Sequence, residues 1–455
     1  MTTVATTPDI SAPDGLRREL GLGSATAAVA GSAIAVGIFL TPAGMAKSLG
    51  SPLWLLIVWL VVGAMTLSGA LCFGELAGRF PRAGGQYVYL HEAFGPRIAF
   101  LFGWMCLLVL DPGLTAALSV GMAGYAAYIF HWSPVIIKLA ALVALWALCT
   151  LNILSIRISA GFLRWITWLK LGTLGLITIW ALVFRLGSWS NFQPFVAQHP
   201  GSENLAPALA GALIGAFFSF GGWWDVSKIA GEIRDPGRTL PRAMLLGVAI
   251  VTTVYVLVSA VFVYLIPLNA VTSGETFVAQ AGEAMFGHSG AVIFAAIVVV
   301  CILGGLAAFI MFAPRVYYAM AKDGLFLPAV AHTHTRFGTP VVAIAIQGTI
   351  ASILITLGSF EKIIPYFMFA AVGFLGLTVA GLFIARSRHH QPNATILTPG
   401  YPFTPLAFLL LVAVLLAMVL MRNPIQALLG TAMVATGLPV YELLRWRTKG
   451  STPHE

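Results

Sequence analysis

Roughly twelve apolar runs, each near the 20 residues a helix needs to cross a bilayer, follow one another along this chain. They occupy residues 24–46, 52–78, 97–129, 134–154, 160–184, 206–231, 241–267, 288–321, 341–358, 362–386, 403–421 and 424–444. No other feature restricts the fold as much. Inside hydrocarbon every backbone N–H and C=O must be paired within the protein, which leaves helices or a closed barrel, and runs of this length read as helices. Only 9% of the 455 residues are charged, against about 25% in a soluble chain. The expectation is an all-α membrane protein, with no room for a separate soluble domain. The gap at 422–423 is the shortest turn this reading requires.

The net charge of +9 does not point to nucleic acid, because of where the charges lie. Most Lys and Arg fall at the termini or after even-numbered segments, among them Arg17, Arg18, Arg79, Arg82, Arg157, Arg164, Arg234, Arg238, Arg242, Lys322, Arg386, Arg388, Arg445 and Arg447. Lys47, Lys138, Arg185, Lys362 and Arg422 lie on the other side, and Lys170 alone is read as lying inside a segment. This is the positive-inside pattern, so both termini are expected in the cytoplasm. Residues 1–23 read as a polar tail. The run after Arg18 is too long for a signal peptide and no cleavage is expected. Cys72, Cys106, Cys149 and Cys301 all fall in apolar segments and read as small packing residues. No Cys/His spacing suggests a metal, and no cofactor is expected. Of the polar connections, 268–287 suits a short helix on the outer face. The 80–96 stretch suits a short amphipathic helix at the cytoplasmic surface.

Two apolar segments carry glycine-rich breaks. Gly31–Phe39 reads GSAIAVGIF in the first, and Phe218–Trp223 reads FSFGGW in the sixth. Glycine costs a helix about 1 kcal/mol relative to Ala, and irregular backbone at membrane depth survives only where protein or a wet cavity pairs it. Segments one to five superpose in pattern on six to ten, each set opening on a broken helix. An odd number of crossings separates the sets, so the topology inverts, as in secondary transporters that bind substrate between the breaks. Residues 24–386 then form the repeat core, 387–446 hold two further helices, and 447–455 form a second tail.

Beyond the breaks, ordered motifs carry a family resemblance. They are Gly37-Ile38-Phe39 followed by Thr41-Pro42, GALCFGEL at 69–76, and Pro81, Gly84, Gly85, Tyr87 and Tyr89. FSFGGW continues into Gly231-Glu232, Asp235-Pro236 and Leu240-Pro241-Arg242, and GLPVY at 437–441 closes the set. From about Leu20 to Arg447 the chain resembles amino acid permeases of the amino acid–polyamine–organocation superfamily. The nearest likeness is to L-type amino acid transporters and bacterial serine/threonine exchangers. The resemblance implies twelve helices in a LeuT-type 5+5 inverted repeat, broken helices one and six, alternating access and a central amino acid site.

Residue by residue, the resemblance implies the following. Ala35, Val36 and Gly37 stand where the family usually has Gly-Ser-Gly, and their amides are expected to hold the substrate carboxylate. Ala and Val there stiffen the break, and the bland alternative is a continuous tightly packed helix. The carbonyls of Phe218, Ser219 and Phe220 are the candidates for the substrate ammonium, and Phe218 for an aromatic gate. Trp224 replaces a smaller or polar residue; it fills the side-chain pocket, stacks on an aromatic substrate, or simply packs. Lys170 matches a family lysine whose ammonium replaces a sodium ion and tethers helix five to the first break; a snorkelling lysine is the alternative. Asp111, beside Pro112, has no counterpart in the eukaryotic carriers. It pairs with a cation, carries a proton, meets a cationic substrate, or caps backbone freed by Pro112. Asp225 is read as facing the same cavity. Ala307 stands where the family often has Asn. Glu75 reads as paired with a loop arginine, and Glu232 as part of a cytoplasmic gate or surface network. Near His131 no cysteine is present, so no disulfide-linked heavy chain is expected.

The expected activity is sodium-independent exchange of small or medium neutral L-amino acids across the plasma membrane. Proton-coupled symport through Asp111 or Asp225 is the second reading, and a cationic or polyamine substrate the third. A transporter-like sensor that binds without flux is a further class. An intramembrane enzyme is not expected, since no HExxH, GxSxG or His-rich set occurs.

Overall fold

The computed structural model of the chain describes residues 16–35, 37–271, 282–283, 285–358, 360–388 and 396–449. Among these it is helical nearly throughout, with an isolated bridge between Leu20 and Ile233. The first apolar segment is two short helices, α1 (Leu22–Ala33) and α2 (Gly37–Leu49). The second is α3 (Pro52–Arg79), and α4 (Gln86–Phe94) follows it. The third segment is α5 (Pro96–Met105), a π-helical turn at Cys106–Leu110 and α6 (Asp111–Phe130). Next come α7 (Pro134–Leu154) and α8 (Ile156–Val183). The sixth segment is α9 (Leu205–Phe220), a turn, and a 3₁₀ stretch at Asp225–Glu232. Then follow α10 (Pro236–Leu265), α11 (Gly290–Phe312), α12 (Pro314–Lys322), α13 (Val341–Leu357) and α14 (Phe360–Arg388). The last are α15 (Phe403–Arg422), α16 (Pro424–Ala435) and α17 (Gly437–Lys449).

Among the described residues 10 helices are long and apolar enough to cross a membrane, and Val341–Leu357 is a shorter apolar helix. With the divided first segment this accounts for the twelve runs. Pro begins many of the helices (α3, α5, α7, α10, α12 and α16 carry it in the first turn). There its missing N–H costs nothing and its fixed φ suits a helix start. Gly95 at φ 87 and Gly358 at φ 69 turn the chain between helices. Asn423 alone separates α15 from α16.

The two broken segments lie at the centre. α1 packs on α8, α10 and α11, and α2 on α9, while α3 packs along α10. α7, α8, α15 and α16 turn large apolar side chains outward, including Val143, Trp168, Leu176, Leu410 and Leu428, as lipid-facing helices do. One expectation needs correction. The 80–96 helix exists as α4, but it is not a surface helix: Tyr87, Val88, Tyr89 and Leu90 are buried. Buried Tyr87 donates to Asp323 Oδ2 at 3.1 Å; burial, then that carboxylate, hold its phenol above the ordinary value. The outer connection shows single 3₁₀ turns at Leu268–Ala270 and Gly287–Ser289, and most of the helix expected between them lies outside the described residues.

Candidate functional site

The last carbonyls of an α-helix have no partner within it. At the end of α1 this is acute, because the chain leaves the helix at Ile34 (ψ 73) in the protein interior. The Ala35 amide turns back to Ala33 O at 2.8 Å. The freed oxygens are met from other helices. Lys170 Nζ, fully buried on α8, donates to Gly31 O and Ile34 O, both at 2.6 Å. The Tyr255 hydroxyl on α10 lies 2.8 Å from Ala33 O. Val36 lies outside the described residues. Gly37 opens α2, where a Cβ would stand 2.5 Å from Ser219 Cα, so glycine is what lets α2 touch α9. Thr41 Oγ1 then meets Ser219 Oγ at 2.7 Å across that contact.

The second break is built differently. Gly221 ends α9 with its N–H on Phe218 O at 3.0 Å, and Gly222 takes φ +100, a region L side chains rarely adopt. Ser32 Oγ of α1 reaches Gly222 O at 3.1 Å. The Tyr255 hydroxyl also stands 2.7 Å from Ser219 O, so one group, with one proton, sits between the carbonyls of both breaks. Sequence reading missed Tyr255; the one aromatic hydroxyl in the apolar run VTTVYVLVSAVFV was the signal.

Between the breaks lies a cavity of about 130 Å³. Ala35, Gly37, Phe218, Ser219, Trp224, Asp111 and Asp225 all line it. Phe218 is 40% exposed and so not locked into the core. Trp224 stacks on Phe217 (6.5 Å, 23°) and meets Trp223 edge-on. One residue expected to hold the substrate lies elsewhere: Phe220 is buried in a cluster with Trp59 and Tyr255. Lys170 sits behind the first break, bonded to its carbonyls. The backbone expectations also narrow: the Ala35 amide is engaged, and the Phe218 and Ser219 carbonyls already accept one bond each, with a second lone pair left. From α11, Phe309 rather than Ala307 lines the cavity, so the wall there is aromatic.

One part of the lining is charged. The π-helical turn at Cys106–Leu110 leads into Asp111, and such turns recur at functional sites. Lys228 Nζ lies 3.3 Å from Asp111 Oδ1 and 2.9 Å from Asp225 Oδ1, all three side chains at most 3% exposed. Tyr317 on α12 donates to Asp111 Oδ2 at 3.2 Å. The charge count takes Lys228 with the cytoplasmic side; the fold buries it. The i,i+3 spacing from Asp225 was the available signal. Arg315, which the sequence reading did not single out, is buried as well. It holds Glu232 through Nη2 at 2.8 Å and Nε at 3.1 Å, so Glu232 belongs to no surface network. Glu75 meets Arg79 and Arg386, the latter from the end of α14 rather than a loop, and takes the Thr398 amide at 2.8 Å.

Residues 20–439 match the family model for amino acid permeases. The chain is 29% identical to the serine/threonine exchanger SteT of Bacillus subtilis, over 94% of this chain and 97% of the relative. It is 31% identical to the b(0,+)-type amino acid transporter 1 of Oryctolagus cuniculus, over 82% and 76%. It is 29% identical to the large neutral amino acids transporter small subunit 2 of Mus musculus, over 98% and 85%.

Proposed function

This chain belongs to the amino acid permease family and is a multi-pass membrane transporter of amino acids rather than an enzyme, and from that premise we propose that it exchanges small or medium neutral L-amino acids without sodium. The observation that carries this reading is the cavity between two helix breaks whose backbone is held open by Lys170 and Tyr255. The amino end of α2 at Gly37 is positive by its dipole and suits the substrate carboxylate. The carboxyl end of α9 is negative, and the remaining lone pairs of the Phe218 and Ser219 carbonyls suit the ammonium. The substrate side chain then lies against Trp224, Phe309 and Leu114, an apolar wall that accepts neutral groups and limits their size. An ammonium 2.6 Å from two carbonyls occupies the place a sodium ion would need, which supports sodium independence.

In this reading residues 24–386 rock as the transport core around the site, and both termini stay in the cytoplasm. The bonds from Glu19 and Leu20 to Glu232 O, with the Glu232–Arg315 pair beside them, hold the cytoplasmic end shut, and Phe218 closes the other. All four cysteines are buried, so none offers a thiol to a partner subunit, and transport is expected from this chain alone.

Radiolabelled L-serine uptake into proteoliposomes tests the function. Uptake is expected in vesicles preloaded with unlabelled L-serine and not in empty ones, with no change when sodium is replaced. Equal uptake into empty vesicles would end the exchange reading. Binding with no uptake in either would make the chain a sensor.

A further inference from the structure

Two clusters of buried charge among the described residues differ in balance. Glu232 and Arg315 are matched one to one, two bonds between them. Asp111, Lys228 and Asp225 are not matched: two carboxylates share one ammonium. With both acids ionised the group carries a net negative charge at membrane depth, at most 3% exposed. Such a charge is costly and persists only with a partner. The titratable groups facing Asp111 are Lys228, Asp225, Tyr317 and the Cys106 thiol; those facing Asp225 are Lys228 and Asp111. Among the described residues none of these supplies a second cation. Tyr317 donates its one proton between Asp111 Oδ2 and Cys106 O, which stabilises a carboxylate without neutralising it. One proton on the carboxylate pair removes the imbalance.

A second observation ties the group to the cavity. Gln86 from α4 is 2% exposed, its Nε2 has no hydrogen-bond partner, and it lines the same cavity as the three charged side chains. A buried amide donor facing a cavity fits water. Water beside Asp111 and Asp225 is the medium through which a proton arrives and leaves.

We propose that Asp111, Lys228 and Asp225 form a proton-binding centre in the wall of the transport cavity. The two carboxylates hold one proton between them, Lys228 stays charged, and the proton exchanges with cavity water. Taking a proton from hydronium turns one carboxylate into a carboxylic acid and brings the group from one negative charge to none; release reverses this. The pair titrates as a unit rather than as two separate acids. Because Asp225 and Lys228 lie on the 3₁₀ stretch that continues the second break while Asp111 opens α6, the group's charge state enters the energy of every rearrangement that moves Asp225–Glu232 against α6. Transport is therefore expected to depend on pH.

Infrared spectra of the intact protein in lipid, taken as pH is varied, test the centre directly. The expected result is the carbonyl band of a buried carboxylic acid that disappears on raising pH and is altered in Asp111→Asn and in Asp225→Asn. In parallel, exchange of L-serine is followed with equal pH on both sides of the vesicle. The wild-type rate is expected to change several-fold across the titration, and Asp225→Asn to flatten that dependence. Absence of a titrating carboxylic acid band in the wild type overturns the proposal, and so does an exchange rate indifferent to pH while the band titrates. The first readout needs no variant and no transport, so loss of folding in a variant leaves the test standing. If L-serine does not exchange at all, the choice of substrate fails, and the infrared titration alone decides the centre.

Discussion

The two helix breaks face one cavity but are held open by opposite means. At the first, the chain leaves the helix without a residue at positive φ among those described, and its freed carbonyls are met by side chains of other helices, Lys170 and Tyr255. At the second, the conformation is built into the chain itself, through Gly221 and Gly222 at φ +100. The first break depends on partners more than a hundred residues away; the second adds local backbone freedom to the donors it receives from Ser32 and Tyr255. The lesson is that a break whose turn has no glycine at positive φ leans on distant donors for its shape, whereas at the glycine break the donors from other helices, Ser32 and Tyr255, are added to a turn that Gly222 already permits.

Lys170→Ala puts the largest strain on that contrast. It leaves two buried carbonyls without a donor, each worth about 1–3 kcal/mol. L-serine exchange is expected to fall about a hundredfold, with a lower thermal midpoint in detergent. Unchanged exchange with unchanged cation dependence would refute the tether. Gly222→Ala attacks the second break alone. A side chain at that φ costs about 1–3 kcal/mol, and its Cβ would meet Ser32 Cβ at 3.2 Å; exchange is expected to drop about tenfold or more. A wild-type rate in this variant would show the second break to be no more locally determined than the first. Tyr255→Phe removes a hydroxyl that meets carbonyls of both breaks. About 1 kcal/mol is at stake, and a several-fold loss is expected. In double-mutant combination with Lys170→Ala the effects should be non-additive, because both groups hold the same turn; simple additivity would separate them. Phe218→Ala is expected to matter least for stability, since the ring is 40% exposed, and to raise the apparent substrate constant several-fold. Unaltered uptake would remove Phe218 as a gate.

Much of this was legible before any contact was known. The apolar runs identify the helices because hydrophobic length is a local property, and even the one-residue break at Asn423 was placed within a residue. FSFGGW was readable because Gly-Gly in an apolar run has few other uses. GSAIAVGIF was harder: Ala35 and Val36 are ordinary helix residues, and only Gly31, Gly37 and the family pattern marked the break. Lys170 stood out because a lone cation in an apolar run needs a reason. Lys228 did not stand out, since Asp225, Glu232 and Arg234 nearby made it look like part of a cytoplasmic end. For the same reason Arg315 was passed over and the surface-network alternative for Glu232 stayed open: a charge near the end of a run looks alike whether it faces water or a partner.

The sequence by itself determined the class of protein, the number and approximate ends of its helices, the two interruptions and the family. These follow from hydropathy, glycine and ordered motifs, which act over a turn or two of chain. Only the tertiary structure decided how Lys228 and Arg315 are paired, which carbonyls are met, and that Phe220 supports the site while Gln86, Phe309 and Lys228 line it. Lys228 and Asp111 are 117 positions apart, and Lys170 and Gly31 are 139 apart. A hydrogen bond or ion pair is set by a few ångströms in space, and no local property of the chain records which distant residue will close that distance.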